Sequence, residues 1–213
     1  MQPHYSVSDH GEPLPLDRPI VLLVGGATGT GKSTVATEAA HRLGITRFTS
    51  TDFIRQTIRA YFPPPMMPSV HLSSFEAGGE EGFLEQTRHV LVGVEASIER
   101  ALTEGWSMVI EGVHLVPGMV PVAIQGALLV HAVLRVEDVD EHRSHFSIRD
   151  ASTGGVRPLE KYLDGMDEIR QLQDVIVERA QRFDVPVIES TSTEEATSAL
   201  VDLVLARVEL ALL

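Results

Sequence analysis

A glycine-rich stretch that ends in a lysine and a serine carries the clearest chemistry in this sequence. Residues 26–33 read Gly-Ala-Thr-Gly-Thr-Gly-Lys-Ser and match the pattern G-x-x-x-x-G-K-S/T at every fixed position. Glycines let the backbone curl until several N–H groups point at one anion. Lys32 adds a positive charge for the β- and γ-phosphates, and the Ser33 hydroxyl is a ligand for Mg²⁺. The stretch therefore predicts a site for a nucleoside triphosphate with Mg²⁺. The alternative is a glycine-rich turn that binds nothing.

The predicted nucleotide-binding residues occupy consecutive positions between a strand pattern and a helix pattern. An apolar run at residues 20–24 precedes them, and an alanine-rich helical pattern at residues 34–43 follows. The order strand, loop, helix is the context in which this motif binds phosphate. The residues are Gly26, Ala27, Thr28, Gly29, Thr30, Gly31, Lys32, Ser33 and Thr34.

Asp52 is the second candidate, because it lies two residues after the end of a predicted strand at residues 47–50. The carboxyl ends of parallel strands form the edge where open α/β sheets bind ligands. A carboxylate there accepts the proton of a substrate hydroxyl or holds water on Mg²⁺. We therefore predict catalytic, substrate-binding or metal-binding roles for Asp52. The alternative is a helix N-cap, a position that aspartate also favours.

Two arginines follow Asp52 on the same predicted helix. Arg55 and Arg59 come three and seven residues later, so all three side chains share one helical face. Cations beside a carboxylate suit an anionic substrate that is held by bidentate contacts. Both arginines are therefore predicted to bind substrate, with a solvated helix face as the alternative.

A third predicted strand ends in Glu111, and His114 follows it closely. Glu111 closes the mostly apolar segment at residues 106–111, where Walker B carboxylates lie, and it is predicted to position Mg²⁺. The alternative is a surface residue at a strand end. His114 is predicted to contact substrate, and a histidine buried in the core is the alternative.

The polar stretch at residues 143–158 is predicted to form a lid. It contains Arg143, Arg149 and Arg157. A lid arginine can stabilise charge on the transferred phosphoryl group while the lid excludes water. Arg143 and Arg149 are predicted to be catalytic and Arg157 to bind substrate, and the alternative for each is ordinary surface charge.

Strand and helix patterns alternate along the rest of the chain. This alternation predicts a five-stranded parallel sheet with helices on both faces. We expect residues 1–18 to be a flexible leader and residues 19–213 to be one domain. The remaining predicted strands are 127–136 and 185–189, and the remaining predicted helices are 53–61, 80–103, one that begins at 138, 159–183 and 194–212.

Composition excludes several functions. The formal net charge is −13, which argues against coating a nucleic acid but leaves room for a small anionic substrate near a few arginines. Cysteine is absent, so no disulfide or thiolate metal site can form. Asparagine is also absent, so the guanine-reading Asn-Lys-x-Asp motif is missing. The sequence shows neither a signal-peptide pattern nor an apolar run long enough for a membrane span, so we expect a cytoplasmic protein without a membrane partner.

Five segments together resemble the 2-phosphoglycerate kinase family of P-loop kinases. They are residues 25–34, 50–55, 71–77, 109–118 and 167–174, of which Glu-Gly-Val-His-Leu-Val-Pro-Gly within 109–118 is far more specific than the glycine motif. The resemblance implies a three-layer α/β P-loop kinase fold. It also implies ATP-dependent phosphorylation of 2-phosphoglycerate to 2,3-bisphosphoglycerate. The members known from archaea are longer or carry an extra N-terminal region.

Two other functions fit the same motifs. One is a P-loop kinase for another small metabolite, such as a sugar acid, an antibiotic or a nucleotide-like compound. The other is a nucleotide-binding switch or ATPase that acts on a partner. The oligomeric state cannot be predicted from the sequence.

Overall fold

The computed structural model describes residues 16–153 and 159–213, without the side chains of residues 149–153. Five parallel strands form one sheet in the order β2-β3-β1-β4-β5. The strands are β1 (Ile20–Gly26), β2 (Arg47–Ser50), β3 (Met108–Glu111), β4 (Leu128–Arg135) and β5 (Val187–Glu189). The helices are α1 (Lys32–Arg42), α2 (Thr51–Tyr61), α3 (Gly79–Glu104), α4 (Val139–Thr153), α5 (Leu159–Asp164), α6 (Met166–Arg182) and α7 (Thr193–Ala211). Two short 3₁₀ turns, Pro68–His71 and Ser74–Glu76, lie between α2 and α3.

Strand β1 is the centre of the sheet, and all seven of its residues are buried. Its side chains alternate between two cores, as the two-residue period of a strand requires. Leu22 contributes to the core formed with α1 and α7. Leu23 contributes to the core formed with α2 and α3. A continuous apolar strand is therefore covered on both faces, and the predicted three-layer architecture is confirmed.

The region predicted to be a lid is helical over its whole described length, residues 143–153. Helix α4 extends to Thr153, whereas the prediction treated residues 143–158 as a polar excursion between helices. Asp138 starts the helix by accepting a hydrogen bond from the Glu141 N–H at 2.8 Å, and buried Phe146 fixes it to the domain. One apolar anchor thus secures a helix whose other residues are mostly polar.

The prediction of a single helix at residues 159–183 is wrong, because the structure divides this segment into α5 and α6. The break lies at Gly165, which precedes the first residue of α6. A Cβ atom on Gly165 would lie 2.7 Å from Cε2 of Phe75. The close approach of this ring explains why glycine occupies the break.

The other boundaries differ little from the predictions. Strands β3 and β5 begin two residues later than expected. The leader predicted for residues 1–18 lies outside the described residues up to residue 15, so its flexibility stays a prediction. Among the described helices, none combines the length and the apolar composition needed to cross a membrane.

Candidate active site

The glycine motif forms the phosphate-binding loop (residues 27–31) between the centre of the sheet and α1. Gly31 precedes the helix with a φ of 75°, a left-handed conformation that favours glycine. Lys32 is the first residue of α1, and its Nζ donates a hydrogen bond to the Ala27 carbonyl at 2.9 Å. The lysine therefore lies over the loop at the helix N-terminus, where an anion is favoured.

Ser33 and Glu111 meet beside this loop, as the sequence predicted for metal-binding residues. The pairing of β1 with β3 places Glu111 next to Val24, at the carboxyl end of both strands. The Ser33 hydroxyl donates to Glu111 Oε1 at 3.1 Å, and Glu111 is buried. Mg²⁺ prefers oxygen ligands and is often held by one or two protein groups together with phosphates and water. The two side chains therefore fit a Mg²⁺ site that a bound nucleotide would complete.

Asp52 lies at the start of α2, on the same edge of the sheet. Ser50 is the N-cap of this helix, because its hydroxyl accepts the Phe53 N–H at 3.1 Å. The alternative role of Asp52 as the cap is therefore wrong. The side chain of Asp52 is 58% exposed, which leaves it accessible to a ligand.

The charge of Asp52 is stabilised by its surroundings. Partial burial tends to raise the pKa of this carboxyl, but the positive charges of Arg55 and Lys32 outweigh it, so the pKa is lowered from its ordinary value. Asp52 is consequently ionised at neutral pH. The positive charge of Lys32 contributes to this shift, so Lys32 favours the ionised form of Asp52.

Arg55 lies beside Asp52 as predicted, but both terminal nitrogens of its guanidinium already donate hydrogen bonds to the protein. It donates to Asp52 Oδ1 at 3.3 Å, to the Val70 carbonyl at 3.2 Å and to the Leu72 carbonyl at 2.7 Å. Arg55 thus links α2 to the segment between α2 and α3. Arg59 is half-buried, and its Nε has no hydrogen-bond partner among the described residues. Contact of either arginine with substrate stays a prediction.

His114 is buried behind this site, so the predicted direct contact with substrate does not fit the structure. Its Nδ1 lies 2.9 Å from the Thr51 hydroxyl and its Nε2 lies 2.9 Å from Gln86 Oε1. The Gln86 amide nitrogen donates to the carbonyls of Ser69 and Leu72. The Gln86 oxygen can only accept, so His114 carries its proton on Nε2 and accepts the Thr51 hydroxyl at Nδ1. This neutral histidine joins the start of α2 to α3 and the 3₁₀ segment.

Sequence reasoning missed Thr51 and Gln86. A signal for Gln86 was present, because it lies between Phe83 and Val90 on the apolar face of the predicted helix. A polar residue on such a face requires a buried partner.

The predicted lid arginines are only partly described. Arg143 pairs with Asp140 of the same helix at 3.2 Å, and its side chain is about half exposed. The side chain of Arg149 and all of Arg157 lie outside the described residues, so the roles of these two stay predictions. Helix α4 instead contacts the phosphate-binding loop through His142 and His145. Sequence reasoning assigned no role to these two histidines, although their spacing places both on one helical face.

Two buried histidines, His114 and His142, and the half-buried His131 should make the protein sensitive to mild acid. Burial lowers the pKa of His114 to about 3 and the pKa values of His131 and His142 to about 4. The unfolded chain binds these protons near pH 6.5, so stability falls as the pH drops from 6.5 towards 4. At pH 5 we expect each histidine to lower the free energy of unfolding by about 2 kcal/mol relative to pH 7. Urea unfolding at pH 7 and at pH 5 measures the summed loss of unfolding free energy.

A matched variant isolates one histidine of this set. His131 donates from Nε2 to the Leu115 carbonyl at 3.2 Å, and the amide of His131→Gln can make the same bond without titrating. In that variant the loss of unfolding free energy between pH 7 and pH 5 should shrink by about 2 kcal/mol. An unchanged loss would contradict the assignment.

The chain is similar in sequence to archaeal proteins named 2-phosphoglycerate kinase. It is 38% identical to that of Pyrococcus horikoshii over 195 residues, which cover 86% of this chain and 64% of the relative. It is 39% identical to that of Thermococcus kodakarensis, with 85% and 64% covered. It is 36% identical to that of Methanopyrus kandleri, with 87% and 60% covered. The chain therefore spans just under two thirds of the length of these relatives. No family model matches it.

A solved structure supports the fold independently. Shikimate kinase from Acinetobacter baumannii, in complex with shikimate, superposes with a TM-score of 0.50 at 19% identity and covers 89% of this chain and 94% of its own. The resemblance inferred from five sequence segments is confirmed by these comparisons. The chain thus has the P-loop kinase fold and is a homologue of the archaeal proteins named 2-phosphoglycerate kinase.

Proposed function

We propose that the chain is an ATP-dependent kinase that phosphorylates a hydroxyl group of a small anionic acid. The proposed acid is 2-phosphoglycerate, and the products are 2,3-bisphosphoglycerate and ADP. The observation that carries the proposal is the sheet register, which aligns Val24, Glu111 and Ser50 at one edge of the sheet. This edge adjoins Lys32, the Ser33–Glu111 pair and Asp52, which follow or end these strands. The similarity to proteins named 2-phosphoglycerate kinase supports the choice of acid.

The donor half of the reaction belongs to the phosphate-binding loop and α1. The N–H groups of the loop and the ammonium of Lys32 hold the phosphates of ATP. Lys32 must exchange its hydrogen bond with the Ala27 carbonyl for a phosphate oxygen. Ser33 and Glu111 provide oxygen ligands for Mg²⁺, which when bound neutralises charge on the phosphates.

The acceptor half belongs to the start of α2. Asp52 is ionised and exposed, so it can orient the substrate hydroxyl and accept its proton as the phosphoryl group transfers. Arg55 and Arg59 add positive charge beside it and favour an anionic acceptor. An arginine of the lid region, Arg143, Arg149 or Arg157, would stabilise the charge on the transferring group.

The charge distribution favours a small metabolite over a nucleic acid. A net charge of −13 repels an extended polyanion. A compact anion can still be attracted by a few arginines that are grouped at the site. This contrast suits a phosphorylated three-carbon acid.

The test measures ADP release from Mg-ATP with 2-phosphoglycerate, 3-phosphoglycerate, a sugar acid and no acid, and identifies the product by phosphorus NMR. We expect fast release only with 2-phosphoglycerate, and loss of release when EDTA removes Mg²⁺. Fast release only with the sugar acid would identify a kinase for another metabolite. Equal release with and without acid would contradict both kinase functions and favour an ATPase.

A further inference from the structure

Two histidines of α4 contact consecutive peptide groups of the phosphate-binding loop. His142 Nε2 lies 2.8 Å from the Thr28 carbonyl oxygen. His145 Nδ1 lies 2.9 Å from the Gly29 carbonyl oxygen. A carbonyl oxygen only accepts, so each ring nitrogen is a donor. We call His142 and His145 the histidine pair.

The contact between α4 and the loop is closely packed. His142 is fully buried, and its ring stacks on Phe146 with centroids 5.5 Å apart and an interplanar angle of 20°. Phe146 in turn stacks on Tyr162 of α5 at 5.1 Å. A Cβ atom on Gly29 would lie 2.4 Å from Phe146 Cζ. Only glycine permits this approach, so the position of α4 and the loop conformation depend on each other.

Because each peptide group is planar, the two hydrogen bonds to the carbonyls also fix the direction in which the following N–H groups point. In a trans peptide the carbonyl oxygen and the following N–H point in opposite directions. The oxygen of Thr28 points towards His142, so the Gly29 N–H points away from α4. The Gly29 oxygen points towards His145, so the Thr30 N–H also points away from α4.

The Thr30 N–H supports this orientation. It donates a hydrogen bond to the Ala27 carbonyl at 3.4 Å, and this carbonyl also accepts the Lys32 ammonium at 2.9 Å, so both donors must exchange this oxygen for a phosphate oxygen. The N–H group thus faces the side of the loop on which the phosphate-binding lysine lies. A phosphate that replaces the Ala27 contact of Lys32 would meet the same face.

We propose that the histidine pair positions the phosphate-binding loop by holding two carbonyls outward, so that the N–H groups of Gly29 and Thr30 face the phosphates before a nucleotide arrives. The proposal rests on the nucleotide site of the proposed function and assigns new residues to it. Neither histidine touches the nucleotide. Loss of either donor leaves a carbonyl without its partner and gives the loop more conformations to lose upon binding.

The test uses the fact that each histidine donates from a different nitrogen. A glutamine amide nitrogen lies near the position of Nε2, and an asparagine amide nitrogen lies near that of Nδ1. His142→Gln and His145→Asn therefore keep the donors, whereas His142→Asn and His145→Gln displace them. Calorimetry of Mg-ADP binding to the four variants of the full chain gives Kd. We expect about a tenfold higher Kd for each displaced donor, and less than about a threefold change for each kept donor.

The decisive result is a lower Kd for glutamine than for asparagine at position 142, together with a lower Kd for asparagine than for glutamine at position 145. A merely structural role would not reverse the preferred amide between positions 142 and 145. Equal Kd values in all four variants, or the same preferred amide at both positions, would overturn the proposal while leaving the kinase function intact. If a variant at buried position 142 does not fold, the half-buried His145 still tests its own donor, and equal Kd values for His145→Asn and His145→Gln would then overturn the proposal. Failure of the unchanged chain to bind Mg-ADP would instead contradict the proposed function and the positioning role together.

Discussion

Replacement of Asp52 by asparagine should reduce phosphoryl transfer by about 10²- to 10⁴-fold, because an amide cannot accept the hydroxyl proton. The lowered pKa of this carboxyl means that the native side chain is fully charged at neutral pH. The variant therefore removes a charge as well as a proton acceptor. Binding of Mg-ADP should change little, since the ligands for the donor phosphates remain. Steady-state ADP release and calorimetry measure the two effects.

A distant aspartate provides the control for this variant. Asp202 is exposed on α7, outside the site. Asp202→Asn should keep full activity. If Asp52→Asn also loses Mg-ADP binding, Asp52 acts mainly through the metal or the structure. If transfer persists, the carboxylate is not part of the reaction.

Replacement of Lys32 by methionine should have the other large effect. The Lys32 ammonium lies over the loop, where it donates to the Ala27 carbonyl, and methionine keeps much of the side-chain length without the charge. We expect transfer to fall by about 10³-fold, because charge stabilisation of the transferring group is the main source of catalysis in phosphoryl transfer. Binding of Mg-ATP should weaken as well, in contrast to the Asp52 variant. Single-turnover assays at saturating Mg-ATP separate the two losses.

The only other lysine of the chain allows a matched control. Lys161 pairs with Glu76 at 2.8 Å, and both side chains are 44% exposed. Such a surface ion pair contributes little to stability, so Lys161→Met should change activity by less than about threefold. Equal losses of activity in both variants would show that the activity depends on the net charge of the protein and not on the position of Lys32 beside the loop.

The elements of the fold were predictable because they depend on local patterns. Strand β1 is a continuous apolar run, and the next helix begins with the lysine of a glycine motif. Their order alone indicates a parallel sheet with a phosphate site at its carboxyl edge. Helix α4 and the break at Gly165 were less predictable, because they depend on contacts between distant elements: Phe146 anchors α4, and Phe75 of a 3₁₀ turn approaches Gly165.

The candidate site also contains residues that were predictable from local sequence and residues that were not. Lys32 and Ser33 were predictable from the glycine motif, and Asp52 and Glu111 from their positions at the ends of predicted strands, because parallel strands bring those ends to one edge of the sheet. The sequence by itself therefore determined which residues are candidates for the phosphate and metal half of the proposed site. It also determined that a carboxylate and arginines stand beside that half.

Only the tertiary structure decided the roles of the histidines. His114 has the same local sequence whether it faces a substrate or the interior, and its burial follows from the packing of α3 over β3. His142 contacts a carbonyl 114 positions away, which no local periodicity encodes. Such contacts depend on which elements are neighbours in space. The sheet order places α4, which follows β4, beside the loop that follows β1, and this neighbourhood turns two ordinary helical histidines into partners of the phosphate-binding loop.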